Sequence, residues 1–88
     1  MNFEYNSDKS KNNKNKHDID FEQAKTIWNE DNIIIPALTT DEQRYMIIGK
    51  IKNKFYSCIF TMQGEKIRII SCRRSRPKEE RMYHEKIY

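Results

Sequence analysis

The chain has 88 residues, 34% charged and 36% hydrophobic, with a formal net charge of +4. A single domain of this size buries only roughly 60–65% of its unfolded surface, so one thin core is expected across residues 1–88. No run of about 18 apolar residues is present, which excludes a membrane-spanning helix. The first residues, MNFEYNSDKSK, lack the apolar segment of a signal peptide, and we expect a cytoplasmic protein without a membrane partner.

The N-terminal region contains one short apolar segment and one long polar segment. Phe3, Glu4 and Tyr5 predict a short edge strand, because aromatic residues suit a sheet surface. Residues 6–17, NSDKSKNNKNKH, have no apolar face to bury. Propensity and periodicity alone therefore predict coil or a linker for this segment.

A clearer helix is predicted to begin at Asp20. Its side chain can cap the N–H groups of the next turn, and Gln23 completes a capping-box pattern. Phe21, Ala24 and Trp28 then fall at i, i+3 and i+7, on one face of a helix. Because a Trp on such a face usually packs in the core, we assign Trp28 to the core.

Strand-like segments follow this helix. Residues 33–35 are a short apolar run, and Pro36 marks it as an edge strand or a strand end. Residues 44–51, 55–62 and 66–72 are rich in β-branched and aromatic residues, with turn residues between them at hairpin spacing. Three consecutive strands joined this tightly predict an antiparallel meander. Together with the helical segments, they predict the α+β class.

Positive charge is concentrated between residues 66 and 81, which hold seven Lys or Arg and two Glu. In a chain with a pI near 9.1, this cluster suggests a phosphate-rich partner. Pro77 suits the first turn of a helix, so residues 78–87 are predicted to form a basic C-terminal helix. Met82 and Tyr83 give this helix a narrow apolar stripe.

Four arginines lie in or directly after the last predicted strand. Strict alternation places Arg68 and Arg74 on one face of the sheet and Arg73 on the other. One group is therefore expected to carry the chemistry, while the other packs or binds a partner. A solvated basic surface is the alternative, and it is less favoured because these cations sit directly at a strand end between two apolar stretches.

The chain has two cysteines, Cys58 and Cys72. Two isolated thiols do not form a disulfide framework, and free thiols in a reducing cytosol are the simpler interpretation. A single bridge between neighbouring strands is the alternative.

Three segments of the chain carry three different short motifs in a defined order. The first segment, YNSDKSKNNKNKHDIDFEQA, contains an aromatic residue, Lys, Asn, Lys-His and Phe-x-x-Ala in that order. The second segment is DEQRYMIIG, at residues 41–49. The third is RIISCRR, at residues 68–74, and it is followed by Glu79 and Tyr83. In this order and spacing they resemble the BrnT toxins of bacterial type II toxin–antitoxin modules. The matching residues of the first segment are Tyr5, Lys9, Asn13, Lys16, His17, Phe21 and Ala24.

The resemblance implies a compact fold similar to RelE-type ribonuclease toxins, with a small sheet packed against two N-terminal helices and one C-terminal helix. Residues 6–17 would then form a helix against their propensity, and we follow the resemblance because tertiary packing often overrides propensity. The resemblance also implies RNA cleavage that inhibits translation. The implied partner is a BrnA-like antitoxin with a ribbon-helix-helix domain, in a hetero-oligomer that binds operator DNA through the antitoxin.

Four positions depart from the family pattern. Asp18 replaces the usual Gly after the first helix, although Asp tolerates the left-handed conformation better than most residues. Gln63 stands where the family often has Arg, which removes one cation from the presumed RNA face. Arg76 stands where Ser or Thr often caps the last helix, and Ser75 replaces the usual Ala. Loss of an Arg predicts a weakened or retargeted enzyme.

Metal-free RNA cleavage needs a group that takes the 2′-OH proton, a group that protonates the leaving 5′-oxygen, and cations for the developing charge. The sequence shows no metal-ligand spacing and no Gly-rich phosphate loop, so we expect neither a metal nor a cofactor. Arginine, whose planar fork matches phosphate, is abundant. We expect catalytic roles for His17, Glu42, Arg68, Arg73, Arg74 and Tyr83, and RNA contacts from Lys16, Arg44, Arg76 and Arg81.

Each acid–base candidate also has a structural interpretation. His17 can interact with the last carbonyls of a helix, Glu42 can be a salt-bridged residue before a strand, and Tyr83 can be a core aromatic. A second class of function is therefore kept as the alternative. It is a non-catalytic nucleic-acid-binding module, or a degenerate toxin that acts only as an antitoxin-binding corepressor.

Overall fold

The computed structural model describes residues 1–37 and 41–87, and for residue 87 the backbone alone. None of the helices in these ranges is long and apolar enough to cross a membrane. The elements follow the chain in this order: β1 Asn2–Glu4, α1 Ser7–His17, α2 Phe21–Ala24, a 3-10 helix at Lys25–Asn29, β2 Asn32–Ala37, β3 Arg44–Ile51, β4 Lys54–Gln63, β5 Lys66–Arg74 and α3 Pro77–Ile87.

The five strands form one sheet in the order β1-β5-β4-β3-β2. β2 to β5 are antiparallel neighbours in sequence, and β1 pairs in parallel with the beginning of β5. β3 and β4 are joined by a two-residue turn in which Lys52 and Asn53 have φ of 51° and 66°, as in the hairpin turns that match the twist of the strands. The predicted meander and the α+β class are confirmed, with the two short strands on opposite edges.

Each face of the sheet has its own core. The first face is covered by α1, α2 and the 3-10 helix, and its main core includes Phe21 and Ile47. The second face is partly covered by α3, where Ile48 and Tyr83 are buried together. Within the described residues, a thin sheet with helices on both sides therefore supplies the two apolar cores.

α1 forms although its segment has no apolar face. Asn6 caps its N-terminus, because the side-chain oxygen accepts from the backbone N–H groups of Asp8 and Lys9 at 2.9 and 3.0 Å. Asp18 ends the helix in the left-handed conformation with a φ of 59°, so this position accommodates Asp in place of Gly. The coil predicted from propensity is wrong, and the helix implied by the family resemblance is confirmed.

Polar side chains dock α1 onto the rest of the protein. The Ser10 hydroxyl accepts a hydrogen bond from the Phe21 N–H at 2.9 Å. The buried Asn13 amide donates to the carbonyls of Ile19 and Cys72 at 2.8 and 2.9 Å, and its oxygen accepts from the Cys72 N–H at 3.1 Å. Buried hydrogen bonds therefore hold this helix where apolar residues hold most others.

α2 begins as predicted. Asp20 and Gln23 form a capping box in which each side chain bonds the other's backbone N–H. Ala24 is fully buried, and the chain continues as the 3-10 helix. There Trp28 packs edge-on against Phe60, with ring centroids 5.2 Å apart, so its assignment to the core is confirmed.

β5 contains a bulge that the sequence did not reveal. On β4, Ile59 pairs with Ser71 and Phe60 pairs with Ile69, so Ile70 is an extra residue on β5. One extra residue reverses the alternation of side chains beyond it.

The bulge changes which arginines share a face. Ile69 and Cys72 both point into the main core although they are three residues apart. Arg68 and Arg73 consequently lie on the second face, and Arg74 lies on the first. The predicted grouping of Arg68 with Arg74 is therefore wrong, because it assumed an unbroken period of two.

Candidate active site

The part of the second face that α3 leaves open carries two arginine–carboxylate pairs. In the first pair, Arg68 Nε donates to Glu4 Oε1 at 3.0 Å, and the side chains are 49% and 34% exposed. The parallel register of β1 and β5 sets these two residues directly opposite each other. This pair therefore depends on the N-terminal strand being in place.

The second pair lies at the start of β3. Arg44 Nη2 is 3.8 Å from Glu42 Oε1, and both side chains are 43% exposed, which confirms the salt-bridged interpretation of Glu42. Arg44 alternates with Tyr45, which packs on the main core, so Arg44 faces the second side of the sheet. On β4 between the pairs, buried Thr61 is the register partner of Arg68. Two strand spacings separate the backbones of the two arginines by about 10 Å.

A cleft of about 390 Å³ adjoins the first pair at the β1 edge of the sheet. Arg68, Glu4, Lys9 and Ile70 are among its lining residues. Two cations and one carboxylate at a concave surface suit a phosphate group with an attached sugar.

Arg73 also lies on the second face, but its guanidinium is engaged in an ion pair with Glu79. Arg73 Nη1 and Nη2 donate to Glu79 Oε1 and Oε2, both at 2.8 Å. The Ser57 hydroxyl and the Arg76 backbone N–H donate to Oε1 at 2.8 and 2.9 Å. These bonds, that of Arg73 foremost, lower the pKa of Glu79 to about 2. The pair therefore fastens the start of α3 to β5.

Arg74 belongs to a different surface, on the first face. Its guanidinium carbon is 5.7 Å from the centre of the Tyr56 ring, in a cation–π contact. Tyr56 also lines a cleft of about 490 Å³ with Lys14, Lys52 and Lys54. The two neighbouring arginines of the sequence are thus separated by the whole thickness of the sheet.

The acid–base candidates on helices lie apart from both pairs. Tyr83 is 2% exposed and packs edge-on against Phe55 at 5.0 Å between ring centroids, so its interpretation as a core aromatic is confirmed. His17 is exposed in the last turn of α1. Three of the predicted RNA-contacting residues are also exposed, on or beside helices: Lys16, Arg76 and Arg81. The structure therefore brings together Glu42, Arg44 and Arg68 among the predicted site residues.

Sequence reasoning missed Glu4 as a site residue. Phe3 packs on the main core against Trp28, so alternation along the short edge strand could have placed Glu4 on the opposite face. Its neighbour Arg68 is 64 residues away in the chain. No local pattern indicates that pairing.

The fold and these charge pairs define a small α+β protein with a basic, carboxylate-bearing face suited to a phosphate-containing polymer. A sequence model described as "Ribonuclease toxin, BrnT, of type II toxin-antitoxin system" matches residues 5–79, and the chain belongs to this family. The crystal structure of the Brucella abortus ribonuclease toxin BrnT has a similar fold, with a TM-score of 0.70 and 25% identity over 86% of this chain and 97% of that one. No curated protein matches the chain. The family resemblance and the expected fold are confirmed.

Proposed function

We propose that the chain is an endoribonuclease that cleaves RNA without a metal ion at the open second face. The observation that carries the proposal is the placement of Arg68 with Glu4 and of Arg44 with Glu42 on either side of β4. Arginines on strands about 10 Å apart have side chains long enough to contact a bound phosphodiester from two sides. A carboxylate beside each one supplies a proton acceptor within the same surface.

The proposed reaction uses the ribose 2′-hydroxyl as nucleophile. Glu42 takes its proton while the 2′-oxygen attacks phosphorus, and the bond from phosphorus to the 5′-oxygen breaks. Arg44 and Arg68 stabilise the extra negative charge on the phosphorus oxygens, while Glu4 orients Arg68 through their hydrogen bond. Solvent protonates the leaving 5′-oxygen in this scheme. The products are a 2′,3′-cyclic phosphate and a 5′-hydroxyl.

The test is incubation of the purified, antitoxin-free protein with single-stranded RNA in EDTA, with the product ends mapped by mass spectrometry. Wild type is expected to give cyclic phosphate and 5′-hydroxyl ends, and Glu42→Gln is expected to bind RNA without cutting it. Asp41→Asn is the matched control, because Asp41 is an exposed neighbouring carboxylate. Activity lost in EDTA and restored by Mg²⁺ would contradict metal independence.

The alternative function is binding of nucleic acid or antitoxin without catalysis. Three predicted catalytic residues lie outside the proposed site, which favours this alternative. His17 is exposed at the end of α1, Tyr83 is buried, and Arg73 is paired with Glu79. Their catalytic roles, and that of Arg74, stay predictions. Wild-type protein that binds the RNA in the same assay but never cuts it would support the alternative.

A type II toxin has an antitoxin partner. We infer a small BrnA-like antitoxin with a ribbon-helix-helix domain, which covers the basic second face and links the complex to operator DNA. Free toxin would then cut RNA in the cytoplasm and inhibit translation. The inference is supported by the charge split, because residues 21–43 hold five acids and one Lys, whereas residues 66–81 are strongly basic. The outer edge of β2, which is the last strand in the sheet among the described residues and carries Ile34 at 49% exposure, is the competing docking surface.

A further inference from the structure

The two cysteines face each other across the centre of the sheet. Cys58 on β4 and Cys72 on β5 are register partners, and both point into the main core. They are 0% and 1% exposed and carry free thiols. The proposed RNA chemistry uses neither of them.

The backbone bonds of Cys72 show which kind of cross-strand pair this is. Its N–H and its carbonyl both bond to Asn13, on the side away from β4. The pair with Cys58 is therefore of the non-hydrogen-bonded kind, which alternates with hydrogen-bonded pairs along a ladder. The Ser75 N–H donates to the Phe55 carbonyl at 2.9 Å, so that pair is hydrogen-bonded. Ser75 lies three positions after Cys72, and alternation along the ladder then makes the Cys72 pair non-hydrogen-bonded.

This geometry suits a disulfide. Opposed Cα atoms in a non-hydrogen-bonded pair are about 4.5 Å apart, inside the range of about 4.4–6.8 Å that disulfides span. Both side chains point to the same face of the sheet, into the main core. The register of the two strands is therefore compatible with a bond between the two sulfur atoms.

α1 packs against β5, the strand that carries Cys72. Burial raises the pKa of the Cys72 thiol, and the hydrogen bond with Cys58 raises it further, so thiolate is scarce in the closed protein. Asn13 bonds the backbone N–H and carbonyl of Cys72, and the Ser10 hydroxyl accepts a further hydrogen bond from the Phe21 N–H. Loss of these bonds would loosen α1 from β5 without breaking the backbone bonds of the β4–β5 ladder.

We propose that Cys58 and Cys72 are a modification site that closes to a disulfide when α1 opens, with a low-molecular-weight disulfide as the oxidant. One cysteine thiolate attacks the reagent and displaces half of it as a thiolate. The second cysteine thiolate attacks the resulting mixed disulfide, forms the Cys58–Cys72 bond and displaces the other half. The reagent accepts two electrons in total. Its two halves leave as thiols, and they carry the two protons that the cysteine thiols have lost. The bond then ties β4 to β5 beneath α1.

The test treats the folded full chain with oxidised glutathione and follows its intact mass after acid quenching. The expected product of wild type has lost two hydrogens and carries no glutathione. Asn13→Ala is expected to close at least about tenfold faster, because loss of buried hydrogen bonds favours opening of α1. Asn12→Ala, an exposed neighbour on the same helix, should react at the wild-type rate. Cys58→Ser should stop at a mixed disulfide on Cys72.

Three results would overturn the proposal. The first is wild type that ends as a stable glutathione adduct, because the second cysteine would then be out of reach. The second is a folded Asn13→Ala variant whose cysteines stay reduced under conditions in which urea-unfolded wild type reacts with oxidised glutathione. The third is equal rates for Asn13→Ala and Asn12→Ala, which would remove the control by α1. If circular dichroism shows Asn13→Ala unfolded, Ser10→Ala takes its place with the same expected acceleration.

Discussion

Arg73 on β5 and Glu79 in the first turn of α3 form a two-pronged ion pair, with both N–O distances at 2.8 Å. The side chains are only 28% and 11% exposed, so water screens this pair less than the surface pairs. Ser57 and the Arg76 N–H complete the bonding of the carboxylate. One acid therefore both caps α3 and fastens it to two strands, and it gives Arg73 a structural task.

Glu79→Gln is expected to lower the free energy of unfolding by about 2–4 kcal/mol, because it leaves the Arg73 charge half-buried without its partner. Urea unfolding followed by circular dichroism measures the loss. Glu85→Gln is the matched control on the same helix, since Glu85 is exposed and should change stability by less than about 0.5 kcal/mol. Equal losses in the two variants would contradict the assigned role of Glu79.

Stability is also expected to fall in acid because of Glu79. Its pKa is lowered to about 2 in the folded protein from an ordinary value of 4.5, so the unfolded chain binds the proton first. The stabilisation is fully present above pH 4.5 and is lost as the pH falls towards 2. The measurement is the unfolding free energy of wild type and Glu79→Gln across this range. Wild type should show the steeper fall, and parallel curves would assign the acid sensitivity to other groups.

Arg68→Ala is expected to slow RNA cleavage by about 100-fold or more while the fold stays intact. The guanidinium is placed to stabilise developing charge, yet its pair with Glu4 is half-exposed and adds little to stability. Lys66→Ala, an exposed cation on the same strand, controls for charge and should cut RNA at nearly the wild-type rate. Arg73→Ala should lose stability as well as activity. Cleavage by Arg68→Ala at the wild-type rate would exclude Arg68 from the reaction centre.

What the sequence predicted correctly was local. The capping box of Asp20 and Gln23 and the strands after residue 43 follow from neighbouring residues and a regular period. α1 was not predictable from propensity, because its docking depends on Asn13 meeting Cys72, 59 residues away. The bulge at Ile70 had no signal in composition, and it reversed the expected faces of the arginines.

The site shows the same division between local and distant information. Glu42 and Arg44 lie two residues apart, and that spacing suggests the salt bridge as the structural alternative to a catalytic Glu42. Glu4 and Arg68 meet only because β1 adds to β5 in parallel, which no short pattern specifies. His17 and Tyr83 have side chains suited to acid–base chemistry, but the structure places His17 on an exposed helix end and Tyr83 in a core.

The antitoxin is expected to bind the basic second face through its own acidic residues. Titration of labelled toxin with the antitoxin at low and at high salt measures this binding. The dissociation constant is expected to rise about tenfold or more from low to high salt, because salt screens exposed charge pairs. Arg68→Ala should weaken binding at low salt, whereas Ile34→Ala on the far edge of the sheet should leave it unchanged. Binding that ignores salt but fails in Ile34→Ala would place the antitoxin on the edge of β2 instead. No binding at either salt, with both proteins folded, would remove this partner altogether.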